Sequence, residues 1–102
     1  MAEVRVIARF VARKGKENQL RTLLQGMLVP THAEQGCKLY ELYESDSEGR
    51  FYLYEKWESQ AALDQHIATS HYKHLEQTGG ELVKEPFEVN ILREIRNGAV
   101  AA

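Results

Sequence analysis

Between residues 51 and 72 the chain reads FYLYEKWESQAALDQHIATSHY, and this stretch holds most of the side chains able to do chemistry. Glu55 is a carboxylate set among aromatic and aliphatic residues; Trp57 follows two places on, and His66, His71 and Tyr72 come soon after. Desolvation raises the pKa of a carboxyl group and a nearby imidazolium lowers it, so a Glu–His pair in such surroundings can be tuned for proton transfer near neutrality. The same two residues could equally form a buried hydrogen bond that only fixes a helix on a sheet. His71 and His74, three apart in SHYKH, could share a helical face as metal ligands do. No second ligand cluster accompanies them, so a solvated helix face is expected there and no metal. Phosphate-cradling glycine loops, G-x-S-x-G and dinucleotide fingerprints are absent, which argues against a nucleotide-dependent enzyme.

These residues need elements to position them. VRVIARFVA, residues 4–12, alternates as a strand, with Val4, Val6, Ala8 and Phe10 on one face. Leu20, Leu23, Leu24, Met27 and Leu28 recur at helical spacing until Pro30, which predicts an amphipathic helix ended by the proline. Thr31 with Glu34 three residues on has the spacing of a capping box for one more turn before Gly36. CKLYELYES and FYLYEKW, separated by Asp46-Ser47-Glu48-Gly49, predict a hairpin. Its alternation puts Phe51, Leu53, Glu55 and Trp57 on one face and Tyr52 and Tyr54 on the other. Ser59 suits an N-cap for a short helix whose inward stripe is Ala62, Leu63, His66 and Ile67, with Asp64 and Gln65 turned outward. A further helical piece carries Tyr72 and Leu75 to Gly79-Gly80, and FEVNILREI after Pro86 is a last strand. The order β-α-β-β-α-β predicts an α+β, ferredoxin-like fold with a four-stranded antiparallel sheet covered on one face by helices. If the Trp57 face meets the helices, Glu55 and His66 point into one space.

A chain of 102 residues supports one core, hence one domain over 1–96, with NGAVAA, 97–102, expected to be a disordered tail. Acidic residues outnumber basic ones by 15 to 13, so no nucleic-acid partner is expected. No apolar run is long enough to span a membrane and MAEVRVIARF lacks a signal-peptide pattern, so the expected location is the cytoplasm. Cys37 stands alone, which excludes an intrachain disulfide and favours a small core residue over a nucleophile. Both sheet faces are too apolar for one of them to meet water alone, which predicts a homodimer packed sheet against sheet.

Three stretches carry a family resemblance. EQGCKLYELYES resembles an E-P-G-C-x-x-Y approach to the second strand, with Gln35 where proline is usual; FYLYEKWESQAAL is similar to f-x-l-y-E-x-W-x-s-x-x-a-l, and DQHIATSHY to x-H-x-x-s-x-H-f. Together they resemble the antibiotic biosynthesis monooxygenase domain family, especially its bacterial quinol monooxygenase branch, over residues 3–95. That resemblance implies a dimeric α+β barrel joined through its sheets, with a cavity between sheet and helices in each protomer. It further implies oxygenation of a quinol-like or polyphenolic aromatic by O₂ with no cofactor. Carried onto this chain, His66 and Glu55 serve as base and orienting partner, with His71 a second candidate base. Trp57 and Tyr72 line the ring site beside Phe51 and Leu53, and Tyr72 donates a hydrogen bond. Haem-degrading relatives use an Asn, Trp and His set, and Asn18, Asn90 and Asn97 have no clear match to it. The enzymatic alternative is an isomerase or degradation enzyme for a phosphorylated autoinducer-2-type furanone, and the non-catalytic one is a small-ligand-binding dimer.

Overall fold

The computed structural model describes residues 3–96 together with Ala99 and Val100. Most of the expected tail, 97, 98, 101 and 102, lies outside the described residues, while Ala99–Val100 pair with Ile95–Arg96 as two very short strands, β5 and β6. The main sheet is built from β1 (Val4–Val11), β2 (Cys37–Glu44), β3 (Arg50–Trp57) and β4 (Glu88–Leu92), in the order β2-β3-β1-β4 with every neighbouring pair antiparallel. The described residues also form four helices: α1 (Glu17–Gln25), α2 (Leu28–His32), α3 (Gln60–Ile67) and α4 (Ser70–Gly80). This is the expected α+β, ferredoxin-like arrangement.

Alternation is read out as burial. Val6, Ala8, Phe10, Tyr40, Phe51, Leu53 and Trp57 are buried on the helix-covered face with Leu20, Leu24, Met27, Leu63 and Leu75. Phe10 and Phe87 meet edge to face with ring centroids 4.6 Å apart, closing one end of that core. The opposite face carries Ile7, Tyr52, Tyr54 and Tyr43 among Arg5 and Arg9, which pair with Glu3, Glu85, Glu88 and Glu94.

Around Pro30 the structure departs from the expected helix. A proline ring clashes with the carbonyl four residues back, and here that residue is Gly26. The helix accordingly stops at Gln25 and restarts at Leu28, so that Pro30 falls in the first turn of α2, where its missing N–H costs nothing. Thr31 is therefore inside α2 and not a cap, and Glu34 lies beyond the end of that helix, free to point elsewhere.

Gly36 explains how the α2–β2 connection fits. Its φ is +92°, and an added Cβ would stand 2.7 Å from the Ala62 Cβ on α3. Only glycine combines that backbone with so close an approach. A shift in pairing register between Cys37 and Leu39 then sets Tyr40 opposite Glu55 and Leu42 opposite Leu53. Among the described residues no helix is long and apolar enough to cross a membrane.

Candidate active site

Between the sheet and α3 and α4 lies a cavity of about 260 Å³. Its walls are mostly apolar, from Val6, Ala8, Phe10, Leu53, Leu63 and Leu75, and its polar groups are few: Tyr40, Glu55, His66 and Tyr72 inside, Gln60 and Asp64 among the exposed residues. No lysine or arginine is among the lining residues. The exposed apolar side chains Ile67, Val89 and Ile91 border it.

Local sequence places each polar group. The Ser59 hydroxyl accepts from the Ala62 N–H at 3.2 Å and starts α3, whose next turn brings His66 to the inner side. Thr69 caps α4 by accepting from the Tyr72 N–H at 3.2 Å and donates its own hydroxyl to the His66 carbonyl at 2.7 Å. One side chain thus ties the end of α3 to the start of α4, and with it His66 to Tyr72. Their rings lie 5.2 Å apart. Strand alternation directs Glu55 inward, as expected.

Glu55 and His66 do share the cavity, yet they do not bond to each other. Glu55, 5% exposed, accepts a 2.9 Å hydrogen bond from the Trp57 indole N–H. Burial pushes its carboxyl up to about 7; the indole bond opposes this and the charge of Glu34 adds to it. A carboxyl group with one neutral donor and no cation beside it holds its proton more readily than one in water. His66, 2% exposed, has Nδ1 at 2.7 Å from Glu34 Oε2. With the Nδ1–H donating to that carboxylate, Nε2 of the neutral ring is left as an acceptor, and it has no hydrogen-bond partner in the described protein. Burial lowers the His66 pKa, while the bond to Glu34 and its charge act the other way. The same Oε2 accepts from His71 Nε2 at 2.6 Å.

The remaining expected residues separate into wall, backing and core. Leu53 and Tyr72 line the cavity. Trp57 is fully buried behind the lining, its ring 4.5 Å from that of His66, so it packs against the imidazole and holds Glu55 where a direct contact with a bound ring was expected. Phe51 belongs to the core under α1, with the Arg21 guanidinium 5.5 Å from its ring centroid, and is not a lining residue. His71 is also absent from the lining and reaches the site through Glu34. His74 is exposed and stands 3.4 Å from the Thr78 hydroxyl, apart from the cluster. Cys37 is half-buried and burial raises its thiol pKa, which agrees with a packing role.

Glu34 and Tyr40 were missed as site residues by sequence reasoning. Both were nonetheless fixed letters of the E-x-G-C-x-x-Y stretch, and that was the signal available. Glu34 orients His66 from the α2–β2 connection. Tyr40, fully buried, lies opposite Glu55, and its hydroxyl, with that of Thr31 nearby, makes no well-formed hydrogen bond among the described residues. Burial strongly raises its pKa, so the phenol stays protonated and able to donate.

Comparison with known proteins agrees with this architecture. Residues 3–78 match the family model described as antibiotic biosynthesis monooxygenase. The chain is 44% identical over 89 residues to "Putative monooxygenase Rv0793" of Mycobacterium tuberculosis, covering 87% of this chain and 88% of that protein. It is 31% identical over 75 residues to "Putative monooxygenase YcnE" of Bacillus subtilis, covering 72% and 79%. The solved structure of Rv0793 superimposes with a TM-score of 0.89 at 41% identity, over 94% of this chain and 98% of that one.

Proposed function

The chain belongs to the antibiotic biosynthesis monooxygenase family, and from that premise we propose that it is a cofactor-independent monooxygenase acting on a quinol-like or polyphenolic aromatic with O₂. One observation carries the substrate class: a largely apolar cavity whose inner polar groups are a carboxyl, an imidazole and two phenols, with Gln60 and Asp64 on its exposed side and no lysine or arginine in the lining. A phosphorylated furanone would bring a dianion beside Glu55 and Asp64 with no Arg or Lys among the lining residues to receive it. A flat, neutral, electron-rich ring is the better match.

In this reading His66 Nε2 takes a phenolic proton, and Glu34 stabilises the imidazolium that forms and fixes its orientation. The resulting phenolate is the reductant. It passes one electron to O₂, and the radical pair combines at a ring carbon to form a C–O bond to a peroxide. The peroxide takes a proton back from the His66 imidazolium. The freed Nε2 then removes that carbon's hydrogen as a proton while the O–O bond breaks, and the departing hydroxide takes a proton from neutral Glu55 to leave as water. His66 then returns its proton to Glu55 through solvent. The sum is quinol plus O₂ to hydroxyquinone plus water, with all four electrons drawn from the substrate. The Trp57 indole keeps Glu55 aimed at the cavity in either protonation state. Tyr40 and Tyr72 supply donors to the ring oxygens, and the dry wall strengthens each of these interactions. A partner copy completes the molecule as a homodimer through the uncovered sheet face, and the enzyme works in the cytoplasm.

Oxygen uptake with a panel of reduced benzo- and naphthoquinones tests this. Expected is uptake above the uncatalysed background for at least one quinol, with one oxygen atom entering the product from labelled O₂ and a large loss in His66→Ala. Background uptake for every quinol, together with turnover of a phosphorylated furanone without O₂, would overturn it. Saturable ligand binding with no turnover of any kind would instead mark a binding protein.

A further inference from the structure

Glu34, His66 and His71 each present one ligand atom, and these three atoms lie within 4.8 Å of one another. They come from three separate segments: the α2–β2 connection, the last turn of α3 and the first turn of α4. Both imidazole N–H groups point at the single oxygen Glu34 Oε2, from 2.7 and 2.6 Å, so the two ring nitrogens already converge on the third ligand atom. Glu34 has no lysine or arginine partner among the described residues, and the two rings are its only hydrogen-bonding neighbours at that carboxylate.

Two imidazoles with one carboxylate suit divalent transition metals, which bind N and O donors at about 2.0–2.2 Å; Mg²⁺ and Ca²⁺ prefer all-oxygen shells. The burial gradient adds a route. His66 is 2% exposed, Glu34 13% and His71 22%, so the cluster opens to solvent from the His71 side and closes at His66. We propose that Glu34, His66 and His71 form a binding site for one divalent transition-metal ion of the Zn²⁺ class, with at least one coordination position left for water. Loading replaces the two shared protons by the ion, with a small rotation of the Glu34 carboxylate. A neutral ring coordinated through Nδ1 carries its proton on Nε2, so the loaded protein cannot use His66 as the base; this consequence, unlike the binding itself, rests on the oxygenase reading.

Co²⁺ is the probe, added to the 102-residue protein after treatment with a chelator. Expected are visible d–d bands that saturate at one Co²⁺ per chain and are bleached by Zn²⁺. His71→Ala and Glu34→Ala should each weaken binding by at least about tenfold, while His74→Ala leaves it unchanged. His71 is part-exposed, so its variant keeps the fold, which circular dichroism verifies. Absence of a saturable spectrum, or equal affinity in both ligand variants, overturns the site and marks binding by scattered surface histidines. Quinol-dependent oxygen uptake, run in parallel with and without Zn²⁺, separates the two readings. Co²⁺ binding in a protein without uptake sustains the site and sinks the oxygenase, and uptake in a protein that binds no Co²⁺ does the reverse.

Discussion

Glu55 and Glu34 are two carboxylates whose neighbours give them different tasks. Among the described residues Glu34 accepts from two histidines, and Glu55 accepts from an indole alone and is pushed up to about 7 by burial. If Glu34 orients the base, Glu34→Gln lowers kcat by roughly 10²-fold, and the double variant with His66→Ala is scarcely worse than His66→Ala alone, because the pair acts as a unit. Steady-state oxygen uptake on the four proteins measures this; additive losses would remove Glu34 from the proton path. Glu55 makes a stability prediction. Its folded-state pKa lies above the ordinary 4.5, so the folded protein binds the extra proton and Glu55 stabilises it at low pH. That contribution is lost as pH rises from 4.5 through about 7, and amounts to roughly 3 kcal/mol over the window. Urea unfolding of wild type and Glu55→Gln should therefore show the wild type losing stability relative to the variant over that range. A difference independent of pH would mean that Glu55 is ionised throughout.

At the scale of elements, the site depends on how closely the α2–β2 connection approaches α3. Gly36 permits it through a positive φ and a missing Cβ, and Glu34 precedes it by two residues. Gly36→Ala forces both a strained backbone and a clash with Ala62, so a loss of about 2–4 kcal/mol is expected in chemical denaturation. Because the same shift moves Glu34 off His66, activity should fall further than the remaining folded fraction accounts for. Wild-type activity in Gly36→Ala would show that this approach is not what positions the pair. Helix and strand types were legible because hydrophobic period and capping act within one segment: Ser59 starts α3, and β3 alternates as expected. The break at Gly26 and the restart at Leu28 were not, since Pro30 could be read as the end of one helix or the start of another. Which of the two occurs depends on whether the second turn has a sheet to pack on, and α2 packs on β2.

For the whole molecule the open question is the uncovered sheet face. Ile7 and Tyr54 are paired at its middle, Tyr52 and Tyr43 beside them, with salt-bridged arginines around. An apolar centre with a charged rim is the composition of a specific interface. Light scattering at micromolar concentration should give twice the chain mass, and Ile7→Glu, which places a carboxylate at the centre of the face, should give the monomer. A wild-type monomer would end the dimer reading without touching the site, whose residues all lie on the other face of the sheet. The sequence by itself determined the class of fold through the order of its elements, and the inward direction of Leu53, Glu55 and His66 through a period of two or of 3.6 within one segment, while the place of Tyr72 in the wall came from the family resemblance. Only the tertiary structure decided the partners: Trp57 for Glu55, and Glu34 with His71 for His66. Glu34 stands 32 residues from His66 and 37 from His71. Contacts over such separations come from the packing of whole elements, for which local periodicity carries no information.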